Sequence, residues 1–135
     1  MPRTPSMITG GKSTAHARGD IVLLPFPFRD LDTTKVRPAV VISGKAYNRQ
    51  GDLIVAAITT HPPRFPTGYR LSGWKEANLI APSIVRMQLA TVAEERVLHS
   101  PGKVNRDDLV EIEKRLSEVF ELDKAKLSAS RDRWT

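Results

Sequence analysis

Two short stretches hold the side chains best suited to chemistry. The first is Lys35-Val36-Arg37-Pro38, which leads into a continuous apolar run over residues 39–42. That run is β-branched and unbroken, as in a strand packed on both faces. Proline cannot donate to a ladder, so Pro38 belongs among the first residues of the strand and Arg37 at its mouth. A guanidinium there offers a planar fork of donors that suits a phosphate. An ordinary strand-edge arginine would look the same. The second stretch is Thr59-Thr60-His61, where the apolar run 53–58 leaves the core. It supplies two hydroxyls and an imidazole, the side chain that exchanges a proton nearest neutral pH. Thr59 and His61 share a face only if the strand continues past Thr60, and Pro62 argues that it ends there. A loop histidine without a role is the competing reading of His61.

The elements around these stretches must position them. With 135 residues, 40% of them apolar, the chain can build one domain with a real core. It has no cysteine, which leaves no disulfide and no thiolate metal site. No apolar run approaches membrane-spanning length and the N-terminal stretch lacks an apolar signal core, so no membrane association and a cytoplasmic location are expected. The net charge is +6, unevenly spread. Residues 35–75 hold seven Lys and Arg against the single acid Asp52, whereas residues 106–126 hold seven acids and five bases. Such asymmetry suits one face built for a polyanion.

Residues 1–17, rich in Gly, Ser and Thr and without periodicity, are expected to form a flexible arm, with the domain over 18–127 and a flexible tail at 128–135 that carries Trp134. Residues 19–25 read as the first strand, and 26–34 as a loop with Phe26 and Phe28 bracketing Pro27. Those aromatics are core plugs or base-stacking surfaces, and Asp30 and Asp32 are turn residues or polar contacts. The strand behind Arg37 comes next, then a polar connection over 44–51 and a third strand over 52–59. Beyond it lie a short strand over 67–71, a turn holding Trp74, a strand at 79–80 and 83–87 interrupted by Pro82, and short strands at 91–92 and 96–98. Asn105 is an expected N-cap, with Asp107 and Asp108 in the first helical turn. Leu109, Ile112, Leu116, Val119 and Phe120 recur at helical spacing as one core-facing stripe. His99 is read as structural. The sum is a mainly β fold with α structure, a small β-barrel closed by a C-terminal helix.

In this setting the chain resembles the PemK/MazF-type growth-inhibiting toxins. The likeness lies in Arg18-Gly19-Asp20-Ile21-Val22-Leu23-Leu24-Pro25-Phe26-Pro27-Phe28 and in Lys35-Val36-Arg37-Pro38-Ala39-Val40-Val41-Ile42-Ser43. It continues in Ile54-Val55-Ala56-Ala57-Ile58-Thr59-Thr60 and in Ser83-Ile84-Val85-Arg86-Met87-Gln88 with Thr91. The resemblance implies an SH3-like barrel of the PemK/CcdB-like toxin fold that forms a homodimer. It implies metal-independent, sequence-specific cleavage of single-stranded RNA, without a cofactor, and neutralisation by a small antitoxin with a disordered inhibitory segment. It makes Arg37 and Thr59 the expected catalytic residues and places Arg86 in an RNA-binding segment. Some relatives carry an acid after that arginine; here Met87 and Gln88 stand in its place, which removes an acid–base role from the segment.

The chemistry fits these residue types. RNA is cut when its own 2′-OH attacks the adjacent phosphorus, leaving a 2′,3′-cyclic phosphate and a 5′-OH. Arg37 can stabilise the phosphorane oxygens, but a guanidinium does not act as a base. Thr59 can hold a phosphate oxygen, with Thr60 and His61 as supporting candidates. Lys35, Arg49, Arg64 and Arg86 are the expected phosphate contacts, Phe28 a base platform beside Phe26 and Phe65, and Asp30 a polar contact. Two other readings stay open: a non-enzymatic toxin of the same fold that binds DNA gyrase, and a catalytically inactive RNA-binding barrel.

Overall fold

The computed structural model describes residues 16–25, 35–61 and 68–122. Six antiparallel strands form one curled sheet: β1 (Asp20–Pro25), β2 (Val36–Val41), β3 (Asp52–Thr59), β4 (Tyr69–Arg70), β5 (Ile84–Ala93) and β6 (His99–Lys103). Their order is β4-β5-β3-β2-β1-β6. A one-turn helix α1 (Lys45–Asn48) links β2 to β3, and α2 (Arg106–Phe120) comes after β6.

Alternation along the strands sorts side chains into two clusters, one on each face. Ile21, Val40, Ala56, Ile58, Val85 and Ile112 belong to the cluster that α2 covers, with Leu109 and Leu116 packed against it. Val22, Leu24, Ala39, Val41, Leu53, Val55 and Val92 form the other. The strand behind Arg37 is therefore buried on both faces, as its continuous apolar run requires. The turn over residues 72–78 leaves the β4 edge of the sheet and docks on β6 at the opposite edge. There Asn78 Nδ2 donates to the Pro101 carbonyl at 2.6 Å, and a Cβ on Gly102 would lie 2.7 Å from the Ala77 carbonyl oxygen. That contact closes the curl into a half-barrel.

Helix α2 starts as its sequence dictates: Asn105 caps it, its side chain accepting from the Asp108 N–H at 2.7 Å. It ends at Glu121, whose left-handed backbone (φ 56°) breaks the helix. Asp108 does more than favour the N-terminus. It is fully buried, and its carboxylate accepts from Tyr69 Oη (2.6 Å), Ser72 Oγ (2.8 Å) and the backbone N–H groups of Ser72 (3.0 Å) and Gly73 (2.8 Å). Burial pushes this carboxyl up, but the combined hydrogen bonds from Tyr69, Ser72 and Gly73 outweigh it and hold the group below its usual range. Burial, and then the bond to Asp108, push the Tyr69 hydroxyl up to about 12.

Four expectations about elements change. Residues 79–80 are not strand, and Ile80 is almost wholly exposed. The strand at 83–87 and the separate one at 91–92 are parts of the single ten-residue β5. Residues 96–98 are not strand; a 3-10 turn over Glu94–Arg96 precedes β6, which the Pro101-Gly102 pair had hidden. Val119 and Phe120 are exposed, so the core-facing stripe of α2 ends at Leu116. The connection over 44–51 also contains structure: buried Asn48 donates to the carbonyls of His16 (2.7 Å) and Ser43 (3.1 Å), and the Ser43 hydroxyl donates to Asn48 Oδ1. His16 Nδ1 meets Glu94 at 2.9 Å. His16 and Ala17 are thus tied to the domain; residues 1–15 and 123–135, with Trp134, lie outside the described residues.

Candidate functional site

The β2–β3 ladder is paired from Val41↔Val55 to Ala39↔Ala57. Pro38 has no N–H, and the pairing stops beside it. The same register carried outward by two residues sets Arg37 beside Thr59. On the other side of β3, Thr59 pairs with Ile84, and Ile84 pairs with Arg70 on β4. One row across the sheet therefore reads Arg37, Thr59, Ile84, Arg70.

Alternation fixes which face these side chains use. Ala39 and Val41 belong to the cluster away from α2, and Arg37 has their parity. Thr59 shares the parity of Val55 and Leu53. Val85 and Met87 pack toward the helix, as does Tyr69, which turns Arg86 and Arg70 to the opposite face. On β5, residues 86–88 stand opposite Ala57 alone, because the register shifts between Ala56 and Ile58. This bulge brings Arg86 alongside the end of β3. Arg37 and Arg70 are exposed, and Thr59 and Arg86 half-buried. Among the described residues no Asp or Glu occupies these strand ends.

The turn after β3 orients Thr59. Its Oγ1 accepts from the His61 backbone N–H at 3.1 Å and lies 3.4 Å from His61 Nδ1. The chain bends sharply enough after Thr60 to bring the imidazole back to the hydroxyl, although the strand ends at Thr59. Thr60 is exposed beyond the strand, and Lys35 is exposed just before β2. Arg49 stands apart: it caps the end of α1 beside the start of β3, and the seven residue steps from Asp52 to Thr59 amount to about 23 Å of strand. Phe28, Asp30 and Arg64, with Phe26, Asp32 and Phe65, lie outside the described residues. Arg70 was not singled out in the sequence. A Tyr-Arg alternation hints at its outward direction, but only the pairing of β4 with β5 reveals the row it joins.

Among the described residues no cluster of His, Cys, Asp and Glu is arranged to hold a metal, and no helix is long and apolar enough to cross a membrane. A separate groove of about 550 Å³ lies on the helix face between α1 and the end of α2, lined by Tyr47, Ile54, Leu89, Leu116 and Phe120. It contains none of the residues of the cationic row.

Residues 17–120 match the family model of the PemK-like, MazF-like toxins of type II toxin–antitoxin systems. The chain belongs to this toxin family. Solved structures share its fold. An endoribonuclease from a mycobacterial species, in complex with its cognate antitoxin, superposes with a TM-score of 0.67 at 20% identity, covering 81% of this chain and 98% of that one. MazF from Deinococcus radiodurans gives 0.63 at 22% identity, covering 79% and 97%. The Mycobacterium tuberculosis toxin MazF-mt6 gives 0.63 at 18%, covering 77% and 98%. Among curated proteins no sequence matches. The barrel and terminal helix expected from the sequence are those of the toxin family.

Proposed function

We propose that this toxin is an endoribonuclease that cuts single-stranded RNA, mRNA above all, at short sequences and thereby stops translation and growth. The observation that carries the reading is the β2–β3 register, which, extended two residues beyond the Ala39↔Ala57 pair, brings Arg37 toward Thr59. The family membership and the endoribonuclease neighbours support it. The 2′-oxygen attacks the adjacent phosphorus, the bond to the 5′-oxygen breaks, and the products carry a 2′,3′-cyclic phosphate and a 5′-OH. The 2′-OH gives up a proton and the 5′-oxygen gains one, so no metal is needed for the balance. The Arg37 guanidinium donates to the non-bridging oxygens as their charge grows, and stabilisation of this kind commonly supplies most of the rate enhancement. The Thr59 hydroxyl donates to a phosphate oxygen, and the imidazole of His61, 3.4 Å from that hydroxyl, takes the 2′-OH proton. Solvent supplies the proton of the 5′-oxygen.

The toxin acts as a homodimer in the cytoplasm and is neutralised by a small cognate antitoxin with a disordered inhibitory segment. Neighbours solved as toxin–antitoxin complexes support the antitoxin part of this reading. The test is incubation of purified protein with mixed-sequence single-stranded RNA in EDTA, mapping the ends. Discrete cuts with cyclic phosphate and 5′-OH termini, lost in Arg37→Ala and Thr59→Ala, are expected. Intact RNA would overturn the reading.

A further inference from the structure

We infer that the C-terminal segment, residues 123–135, folds back over the groove between α1 and the end of α2 and seats Trp134 in it. The inference is independent of the nuclease reading, because the groove contains none of the residues of the cationic row. Its floor is the open end of the helix-side core. Ile54, Leu89 and Leu116 pack against that core yet are only half-buried, and all three line the groove. Its walls are Tyr47 on α1 and Phe120 and Leu122 at the end of α2, with relative exposures of 36%, 55% and 51%. A hollow of about 550 Å³ is of the size that holds a drug-sized molecule. Large apolar side chains exposed together mark a docking surface.

Direction, reach and chemistry select the chain's own continuation as the occupant. Glu121 takes a left-handed backbone (φ 56°), and the Leu122 N–H donates to the Ser117 carbonyl at 2.9 Å. This helix-ending turn takes the chain off the helix axis and leaves Leu122 on the groove wall, so residue 123 starts at the rim. Helix α2 lines the groove from Glu113 to Phe120, about 10 Å of helix. The steps from Leu122 to Trp134 span up to about 40 Å when extended, so the indole reaches any point of the hollow. A tether this short also holds it at a millimolar effective concentration. The segment brings Leu127 and Trp134 as large apolar side chains, with Lys124, Lys126, Arg131 and Arg133 against Asp123 and Asp132. At the end of α2, Glu118 and Glu121 make no ion pair among the described residues. An indole in the hollow and cations along its rim match both features. A second copy of the chain is the competing occupant.

The chain has no cysteine, so an introduced pair can be followed alone. Gly44 lines the groove, and a Cβ there meets nothing within 4 Å, which makes Gly44→Cys a mild change. In the Gly44→Cys/Thr135→Cys variant, mild oxidation is expected to close an intramolecular disulfide at a rate independent of protein concentration, seen as a reducible gain in gel mobility. Adding Trp134→Ser should slow closure several-fold, because only the tether then brings the two thiols together. Absent closure, closure at an unchanged rate with Trp134→Ser, or disulfides formed only between chains (the result expected of a second copy) would each overturn the inference. A second readout needs no cysteine. In Trp74→Phe the Trp134 indole is the only one left, and iodide should quench its emission several-fold less in the native protein than in urea. Phe120→Ser, which removes one wall of the groove, should restore quenching toward the level in urea. Native quenching as strong as that in urea sinks the proposal. RNA cleavage enters neither readout, so this inference and the nuclease reading fail separately.

Discussion

Tyr69 and Arg70 are adjacent in sequence and face opposite sides of the sheet, and they belong to two kinds of polar chemistry. Toward the helix, Tyr69 joins Ser72 and Gly73 in satisfying the buried Asp108 carboxylate. Toward the other side, Arg70 joins Arg37, Arg86 and Thr59 on a cationic face. Buried groups with every donor matched hold a fold together; like charges gathered in the open attract a ligand of opposite sign. The difference is one of burial and satisfaction, and residue type alone does not reveal it.

Breaking each side should produce opposite phenotypes. Arg37→Ala is expected to lower the RNA cleavage rate by about 10²–10³-fold, the scale of losing a preorganised donor to a developing oxyanion. Its urea midpoint should move less than that of Asp108→Ala, which removes a fully buried carboxylate. Asp108→Ala should do the reverse. It strands the donors of Tyr69, Ser72 and Gly73 and is expected to cost about 2–4 kcal/mol in denaturant unfolding, while kcat in the folded fraction is retained. Equal loss of stability in the two variants would erase the comparison.

The pH dependence sharpens it. Asp108 is held below its usual range, so its contribution is complete at neutral pH, begins to fall near the unfolded carboxylate value of about 4, and is lost as the pH passes the lower folded value. Acid unfolding of Asp108→Asn should therefore be shallower than that of the wild type. On the other face, His61→Asn should lower kcat by about 10²-fold, the scale of a lost general base, and an unchanged kcat would remove His61 from the mechanism. The smallest effect is expected from Asn105→Ala, about 1 kcal/mol of stability through the lost cap, with no change in cleavage.

Much of this architecture is legible from local pattern. The bounds of β3, the place of Pro38 and the Asn105 cap each arise from residues that act on their own neighbours. The elements that depart from expectation share a cause in non-local contact. Polar Gln88 and Thr91 make β5 look broken, yet both lie in one strand whose pairing with β3 carries it through. Pro101 and Gly102 signal a turn, but they fit an edge strand that needs fewer donors and meets the Ala77 carbonyl closely. The helical stripe keeps its period through Val119 and Phe120, yet those two side chains stay exposed. In the site, Arg37 and Thr59 could be placed at strand ends from sequence, whereas their alignment with Arg70 depends on the register of three ladders.

The docking of residues 72–78 on β6 has a consequence for behaviour at high concentration. An open strand edge is a template on which a second chain can add itself, the first step toward sheet-type aggregates. Here β6 offers Pro101, which has no hydrogen to give and whose oxygen is already taken by Asn78, next to Gly102 pressed against Ala77. The opposite edge, β4, is two residues long. The same contact that closes the half-barrel therefore also guards the β6 margin against templated misassembly.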